Sequence, residues 1–379
     1  MNKKKFVLAL FAVCVAAAKA QQSVPQERMQ EIYNEVKTPY KYGVVMEAAA
    51  PKDMVDCPTV FRDGDRWCMT YVYYDGRGYE TWIAYSDDLL HWEPQGRLLK
   101  FADKGWDKHQ RGGFPALQCT EWGGDARLGQ YDGRYWMTYI GSSTAGYEGL
   151  PISIGLASTD GAASDVCHWQ TYDRPVMAWN DADTLWWESR SPYKSCVYEL
   201  ENPLGKRFIM FYNALYNGSR HNKGERIGVA VSDDLRHWTR YKGNPVMQHD
   251  HDNTLTGDAQ ICRMGDLYVM FYYCAHNPER PYGAYNSFAA SHDLLHWTDW
   301  TGDVLVRPSE QYDARYAHKS CVLKHNGVVY HFYCAVDNNR KRTIALATSR
   351  DLSGAKAADG KAAAGGKKYG VTDPKNSKN

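Results

Sequence analysis

Ser86-Asp-Asp-Leu-Leu-His-Trp92 is the stretch of sequence that decides the fold, because the chain repeats it. Two close copies are Ser232-Asp-Asp-Leu-Arg-His-Trp238 and Ser291-His-Asp-Leu-Leu-His-Trp297. Two degenerate copies follow the same plan, Ser158-Thr-Asp160 with His168-Trp169, and Ser349-Arg-Asp-Leu352. Recurrence every 60 to 75 residues or so indicates five copies of one structural unit.

Two strand-like runs precede each copy of this repeat. In the first unit they are Arg66–Val72 and Thr81–Tyr85, and Asp63-Gly64 supplies the turn before them. Glycine beside Asp or Asn is the chemistry that tight hairpins require. Each unit therefore predicts four antiparallel strands, which is one blade of a propeller. The predicted fold class is all-β, a five-bladed β-propeller in a single domain with a short N-terminal helix.

The ends of the chain differ in composition from the repeats. Residues 1–20 join Lys3-Lys4-Lys5 to an apolar run and Ala18-Lys19-Ala20, the order of a cleaved secretory signal peptide. Residues 21–39 hold an amphipathic helical pattern, residues 40–352 hold the five blades, and residues 353–379 predict a disordered tail. Tyr40–Met46 has no repeat of its own, so we expect it to complete the last blade. The mature protein is expected to be secreted or periplasmic.

Charge and composition narrow the class of partner. The formal net charge is +1 with no basic stripe in the body of the chain, so neither nucleic acid nor a membrane surface is expected. Tyr and Trp number 28 and 13, and flat rings stack on sugar faces, so carbohydrate is the expected partner. The ten cysteines show no close metal-binding spacing, and we predict neither a metal nor a cofactor. None of these features indicates an oligomeric state.

Carboxylates stand at the start of nearly every predicted first strand, and first strands line the channel of a propeller. The acids in question are Asp56, Asp107, Glu188, Asp258 and Asp313. Turn capping is the alternative to catalysis for each of them. Acids held close together raise one another's pKa, so an acid and a base can coexist near neutral pH. Glycoside hydrolysis requires that pair.

The chain resembles the five-bladed glycosidases and glycoside phosphorylases related to families 43, 32, 117 and 130. The resemblance rests on the run from Asp56 to Tyr71, on the repeat turns and on Glu188, and it covers residues 40–352. Family 43 implies that Asp56 is the general base and Glu188 the acid, and a base that activates water favours inversion. Resemblance to family 117 implies instead that His318 is the acid.

The second blade departs from the family 43 pattern. Phe114-Pro115-Ala116 stands where that family has an Asp, so the corresponding role falls to Asp107 or Asp258. The predicted catalytic set is therefore Asp56, Glu188, Asp258 and His318.

Blades three and five share a cationic pattern before their first strands. Trp187-Glu188-x-Arg190-x3-Lys194 aligns with Tyr312-Asp313-x-Arg315-x3-Lys319. The predicted substrate-binding residues are Asp107, Trp187, Arg190, Lys194, Asp313, Arg315, Lys319 and Trp122. Such cations either bind phosphate or brace the neighbouring acids.

The sequence thus predicts a secreted glycoside hydrolase that cleaves a poly- or oligosaccharide by carboxylate acid/base catalysis. A glycoside phosphorylase and a non-catalytic sugar-binding propeller are the alternatives. A structural Ca²⁺ in the channel, which some relatives hold, is the alternative to the absence of a cofactor.

Overall fold

The computed structural model describes residues 23–166, 168–216 and 224–354, where the strands form one four-stranded and two eight-stranded sheets. We divide these sheets by their antiparallel pairings into five groups of four strands. Group 1 is β2 (Met54–Asp63), β3 (Arg66–Tyr74), β4 (Tyr79–Ser86) and β5 (Glu93–Leu99). Group 2 is β6 (Gln110–Pro115), β7 (Tyr135–Ser142), β8 (Ser153–Thr159) and β9 (Gln170–Thr171). Group 3 is β10 (Ser191–Glu199), β11 (Phe208–Tyr216), β12 (Gly224–Ser232) and β13 (Thr239–Arg240).

The remaining two groups follow the same order, and the last of them takes its fourth strand from the start of the chain. Group 4 is β14 (Thr254–Met264), β15 (Leu267–Ala275), β16 (Ala284–Ser291) and β17 (Thr298–Asp299). Group 5 is β18 (Tyr316–His325), β19 (Val328–Val336), β20 (Arg342–Thr348) and β1 (Tyr40–Met46). Antiparallel pairing of β1 with β20, from Tyr40 opposite Thr348, confirms that the first strand completes the last repeat.

Neighbouring groups are joined by short parallel pairings and by shared apolar cores. Parallel pairing of β4 with β6 connects groups 1 and 2, and that of β12 with β14 connects groups 3 and 4. One core cluster combines Val55 and Met69 of group 1 with Phe332 and Leu346 of group 5. The first and last groups therefore pack directly against each other.

The repeated serine motif forms a turn that is held by its own side chains. Ser86 accepts the backbone N–H of Leu89 through Oγ at 2.9 Å, and Asp88 accepts that of His91 at 2.9 Å. Trp92 donates its indole N–H to Leu89, which has a left-handed φ of 69°. Because every partner lies within the motif, the turn forms the same way in each unit where the motif is intact.

A helix, α1 (Gln26–Val36), packs outside the sheets, as the sequence predicts. Met29, Ile32 and Val36 are buried in a core that they share with groups 4 and 5. Over the described ranges, no helix has the length and apolar character needed to cross a membrane. The predicted signal peptide and residues 355–379 of the predicted tail lie outside the described residues.

Candidate active site

The first strands of four groups carry a β-bulge near their starts, and these bulges aim side chains at a common point. Each of these first strands has one extra residue where it pairs with the second strand of its group. The bulges lie at residues 56–59 in β2, 192–195 in β10, 257–260 in β14 and 318–321 in β18. Cys57, Asp258 and Lys319 have positive φ values of 50°, 58° and 56° at three of these bulges. Non-glycine residues seldom adopt this conformation, and bulges are common beside active sites because they redirect side chains.

The bulge residues line one pocket together with the ends of the second and third strands. Strand β6 has no bulge, and it contributes Phe114 instead. The lining residues are Asp56, Cys57, Val72, Tyr79, Phe114, Ile140, Glu148, Tyr193, Lys194, Asn213, Glu225, Asp258, Tyr273 and Lys319. All five groups therefore contribute to one pocket that combines charged and apolar side chains, as the sequence predicts for strand starts in a propeller. A second crevice, at the β2–β3 hairpin around Asp63, lies at the opposite end of β2.

Asp56 is held as an ion by two cations from group 5. Lys319 Nζ and Arg342 Nη1 each lie 3.0 Å from Asp56 Oδ2, while Oδ1 accepts the backbone N–H of Cys57 at 2.8 Å. Burial alone would raise the pKa of Asp56, but the charges of Lys319 and Arg342 outweigh it and hold that pKa far below its usual range. A carboxylate this firmly paired is a weak proton acceptor, which argues against Asp56 as the predicted base.

Asp258 forms the second ion pair of the pocket. Its Oδ2 lies 3.3 Å from Lys194 Nζ and 3.9 Å from the thiol sulfur of Cys57. Both partners of the ion pair are buried, so each compensates the charge that the other brings into the protein interior. Asp258 and Lys194 therefore stand where the sequence places them, in the pocket, with a charge-balancing contact between them.

Glu225 is the carboxylate that the pocket leaves poised to give up a proton near neutral pH. Its Oε2 accepts the amide N–H of Asn213 at 2.8 Å and the hydroxyl of Tyr273 at 2.9 Å. Burial raises the pKa of Glu225 to about 7, and the negative charge of Glu148 adds to the rise. Gly224 precedes it with a φ of 153°, and a Cβ there would lie 2.1 Å from Thr254 O, so glycine permits the close approach of β12 to group 4.

Glu148 reaches the pocket from the loop between β7 and β8, and that loop is held firmly. Gln110 donates its side-chain N–H to the carbonyls of Thr144 at 3.0 Å and Gly146 at 2.8 Å. The backbone N–H of Gly146 bonds to Arg77 at 2.7 Å. Glu148 itself has a left-handed φ of 48°, a strained conformation typical of functional positions.

Glu188, which the sequence predicts as the acid, does not line this pocket. It ends the short 3-10 helix Trp186–Glu188, its exposure is 0%, and its oxygens contact Arg240 at 3.0 Å and Tyr212 at 3.0 Å. Burial raises the pKa of Glu188, with the charge of Arg240 acting in the opposite direction. A substrate in the pocket cannot reach this carboxyl, so Glu188 serves to hold the sheet and its predicted role as the acid is corrected.

Glu188 is one of five acids in the described part of the chain that accept a hydrogen bond from a tyrosine on the second strand of their group, and three of the five, Asp107, Glu188 and Asp313, are buried. We call these contacts acid–tyrosine pairs, and they are Asp53–Tyr73, Asp107–Tyr139, Glu188–Tyr212, Asp299–Tyr272 and Asp313–Tyr333. Arg111 contacts Asp107, and Lys41 contacts Asp313. Asp107 and Asp313, predicted as substrate-binding residues, therefore have structural partners and lie outside the pocket lining, which corrects those predictions.

The remaining predicted binding residues fall into two sets. Trp187 is 0% exposed and packs on Tyr212, so it belongs to the core and not to the predicted binding set. Trp122 donates its indole N–H to Glu35 of α1 at 2.8 Å, which places it outside the pocket and corrects that prediction as well. Arg190 is exposed and Arg315 stacks on Tyr316, and neither lines the pocket, whereas Lys194 and Lys319 do.

His318 is buried beside the pocket and turned toward protein groups. Its Nδ1 lies 3.2 Å from Cys334 O, and its Nε2 lies 3.4 Å from Arg342. Burial lowers the pKa of His318 far below its ordinary value, and the charges of Arg342 and Lys319 lower it further. The ring is therefore neutral at physiological pH and carries no acidic imidazolium, which argues against the predicted role of His318 as the acid.

Glu225, Glu148 and Arg342 are the site residues that reading the first strands overlooks. For Glu225 and Arg342, the position relative to the repeated motif could have revealed them. Glu225 and Arg342 stand seven residues before the serine of their repeat, as the pocket residue Tyr79 does. Counting back from the serine therefore finds the third-strand contributions, but Glu148 lies on a loop that no repeat register predicts.

The described residues include no cluster of three or more His, Cys, Asp or Glu side chains arranged to hold a metal ion. The eight cysteines whose surroundings the structure describes are free thiols, seven of them buried.

Comparison with solved structures places the chain among enzymes that act on sugars. A structure of a BT0996–RGII complex and one described as "Glycoside hydrolase" each match with a TM-score of 0.85 and 54% identity, over 87% of this chain and 97% of the other. A thermostable family-43 glycoside hydrolase matches with a TM-score of 0.57 and 16% identity, over 81% of this chain and 94% of the other, which shows a shared fold. Neither a protein-family profile nor a curated protein matches.

The all-β fold and the solved structures that it matches place the chain in the class of β-propeller glycosidases. At 54% identity over nearly the whole length of its two most similar relatives reported above, the chain belongs to their glycoside hydrolase family. It is therefore a glycosidase.

Proposed function

We propose that this enzyme hydrolyses a glycosidic bond with Glu225 as the general acid and Glu148 as the second carboxylate. The observation that carries the proposal is that both side chains line one pocket and that the charge of Glu148 raises the pKa of Glu225. An acid and an ionised carboxylate in one site are the pair that glycoside hydrolysis requires.

The hydrogen bonds of Glu225 indicate which of its oxygens carries the proton. Asn213 and Tyr273 both donate to Oε2, so the proton is assigned to Oε1, which donates it to the departing glycosidic oxygen. As the bond to the leaving group breaks, Glu225 becomes negative, and the two donors on Oε2 stabilise that charge.

Glu148 supplies the second carboxylate of the reaction. In an inverting enzyme it takes a proton from the attacking water, and in a retaining enzyme its oxygen bonds to the anomeric carbon. Inversion stays our prediction. Asp56 then has a positioning role, because its contacts with Lys319 and Arg342 keep those cations in place beneath the sugar.

The charge balance of the pocket favours hydrolysis over phosphorolysis. Among the described residues, the pocket cations Lys194 and Lys319 face Asp258 and Asp56, and Arg342 shares Asp56. Phosphate binding needs cations whose charge is still available. The negative charge of Glu148 would repel a phosphate ion placed between these pairs.

The proposed substrate is an oligosaccharide of RGII, the carbohydrate that the description of the relative names. We also propose that the five groups are the five blades of one closed propeller spanning residues 40–352. In support, strands of each group contact those of the next, and β18 and β20 of group 5 contact β2 of group 1. Secretion by a cleaved signal peptide of residues 1–20, and the disordered tail from residue 353, complete the proposed organisation.

The test is turnover of RGII oligosaccharides, and of a panel of aryl glycosides, by the purified protein. We expect release of a free sugar in phosphate-free buffer, with an inverted anomeric centre in the first NMR spectra. Turnover that depends on added phosphate would establish the phosphorylase instead. Binding of the sugar without any turnover, by protein whose circular dichroism shows it folded, would establish the non-catalytic alternative.

A further inference from the structure

Tyr147 presents an exposed aromatic ring beside the pocket, and the proposed mechanism makes no use of it. Its side chain is 39% exposed. Its ring meets those of Tyr74 and Tyr79 edge to face, with centroids 5.7 and 5.8 Å away. Because Tyr79 and Glu148, the next residue in the chain, both line the pocket, the Tyr147 ring lies beside it.

Arg342 braces this ring from the protein side. Its guanidinium carbon lies over the Tyr147 ring, 5.3 Å from the centroid, while its Nη1 donates to Asp56 at 3.0 Å. A cation over an aromatic ring is attracted by the ring's electrons. Arg342 therefore connects the β7–β8 loop of group 2 to the buried carboxylate of group 1.

The loop that carries Tyr147 is held by contacts within the protein. Gln110 bonds two of its carbonyls, and a Cβ at Gly149 would lie 2.2 Å from Thr144 O, so the loop closes tightly on itself. An aromatic ring that is fixed in advance binds at little cost in conformational entropy. A ring held by three neighbours and still exposed at a sugar-binding pocket has the properties of a stacking surface.

We propose that Tyr147 is the platform on which the leaving-group sugar stacks, and that Arg342 is a positioning residue that fixes this ring. In this arrangement the pocket interior holds the sugar whose anomeric carbon is attacked. The leaving-group sugar, which is the next sugar of the oligosaccharide, then lies at the mouth of the pocket, over Tyr147. The recognised group is a sugar ring that presents a face of C–H groups. This inference rests on the proposed function, since it places the leaving group next to Glu148 and Glu225.

The test measures binding of RGII oligosaccharides by calorimetry in a Glu225→Gln background, in which turnover does not consume the ligand. Tyr147→Ala should weaken binding roughly three- to tenfold, because the stacking contact is lost. Tyr147→Phe keeps the ring and should bind like the parent. Tyr40→Ala is the matched control, since Tyr40 is 46% exposed but lies on β1, at the outer edge of group 5.

The role of Arg342 is tested by a double-mutant cycle in the same background. If Arg342 fixes the ring, Tyr147→Ala should cost much less affinity when Arg342→Gln is already present. An equal cost in both backgrounds would contradict the positioning role, whatever Arg342→Gln does to stability.

The outcomes separate this inference from the function on which it rests. Unchanged affinity of Tyr147→Ala, or an equal loss in Tyr40→Ala, would overturn the platform. Absence of any binding by the Glu225→Gln parent would overturn the platform together with the proposed substrate. Full turnover by Glu225→Gln would instead remove only the assignment of the general acid.

Discussion

Group 3 contains two glutamates whose surroundings give them opposite tasks. Glu188 has 0% exposure and contacts Arg240 and Tyr212, whereas Glu225 lines the pocket and accepts hydrogen bonds from Asn213 and Tyr273. The charge of Arg240 balances that of Glu188, whereas Glu225 faces a second carboxylate, that of Glu148. We infer from this comparison that an acid in an acid–tyrosine pair stabilises the fold, while an acid opposite another acid is left available for proton transfer.

The same substitution in the two glutamates should separate their tasks most clearly. Glu225→Gln removes the proton donor and should lower kcat by about 10²–10⁴-fold on RGII oligosaccharides, the range expected for general acid catalysis. Rates are followed by the reducing sugar released. A variant that keeps its circular dichroism spectrum and its full kcat would show that Glu225 is not the acid.

Glu188→Gln is the matched control, and its effect should be on stability. It removes the charge that balances buried Arg240, and losing one partner of a buried ion pair costs about 3–5 kcal/mol. Arg240 keeps its contacts to Asp181 and Asp183, so the loss should be near the lower end, about 3 kcal/mol. Urea unfolding measures it. A fall in kcat per folded molecule comparable to that of Glu225→Gln would contradict the division of tasks.

The pH dependence of stability sharpens the contrast further. Burial raises the pKa of Glu225 from its ordinary value of 4.5 to about 7 in the folded protein. Between these values the folded state binds more protons, so the free energy of unfolding falls as pH rises through this window. Glu225→Gln cannot titrate there, so it should gain stability relative to the parent across the window, by up to about 3 kcal/mol and by less where solvent screens the charge.

Urea unfolding of both proteins at a series of pH values tests this expectation. The difference between them should be constant below the window and constant again above it. A difference that does not change with pH would show that the pKa of Glu225 is not raised on folding.

The smallest effects on activity and stability are expected from removing one tyrosine hydroxyl in the pocket and one in an acid–tyrosine pair. Tyr273→Phe removes a donor that lowers the pKa of Glu225, so the alkaline limb of the kcat profile should move to higher pH. Tyr333→Phe removes a donor to Asp313 in an acid–tyrosine pair and should cost about 1 kcal/mol of stability without moving that profile. Identical pH profiles for the two variants would contradict the placement of Tyr273 in the active site.

Much of the fold follows from local sequence chemistry. Ser86 and Asp88 satisfy the backbone of their own turn, so the motif that marks each unit looks alike wherever it occurs. Counting its copies predicts five four-stranded groups, and the surplus strand Tyr40–Met46 predicts the pairing with the last one. Asp56, Asp258, Lys194 and Lys319 are also predicted into the pocket, because the starts of first strands converge there.

The roles of the acids were decided by tertiary structure, for a physical reason. Whether a carboxyl group acts as an acid, acts as a base or forms a structural ion pair depends on the charges that face it. These charges come from strands of other four-stranded groups. Asp56 meets Lys319 and Arg342 from group 5, and Glu225 meets Glu148 from group 2. The sequence by itself thus determined the repeats and the strand starts that converge, whereas only the packing of distant strands decided which carboxylates share a pocket.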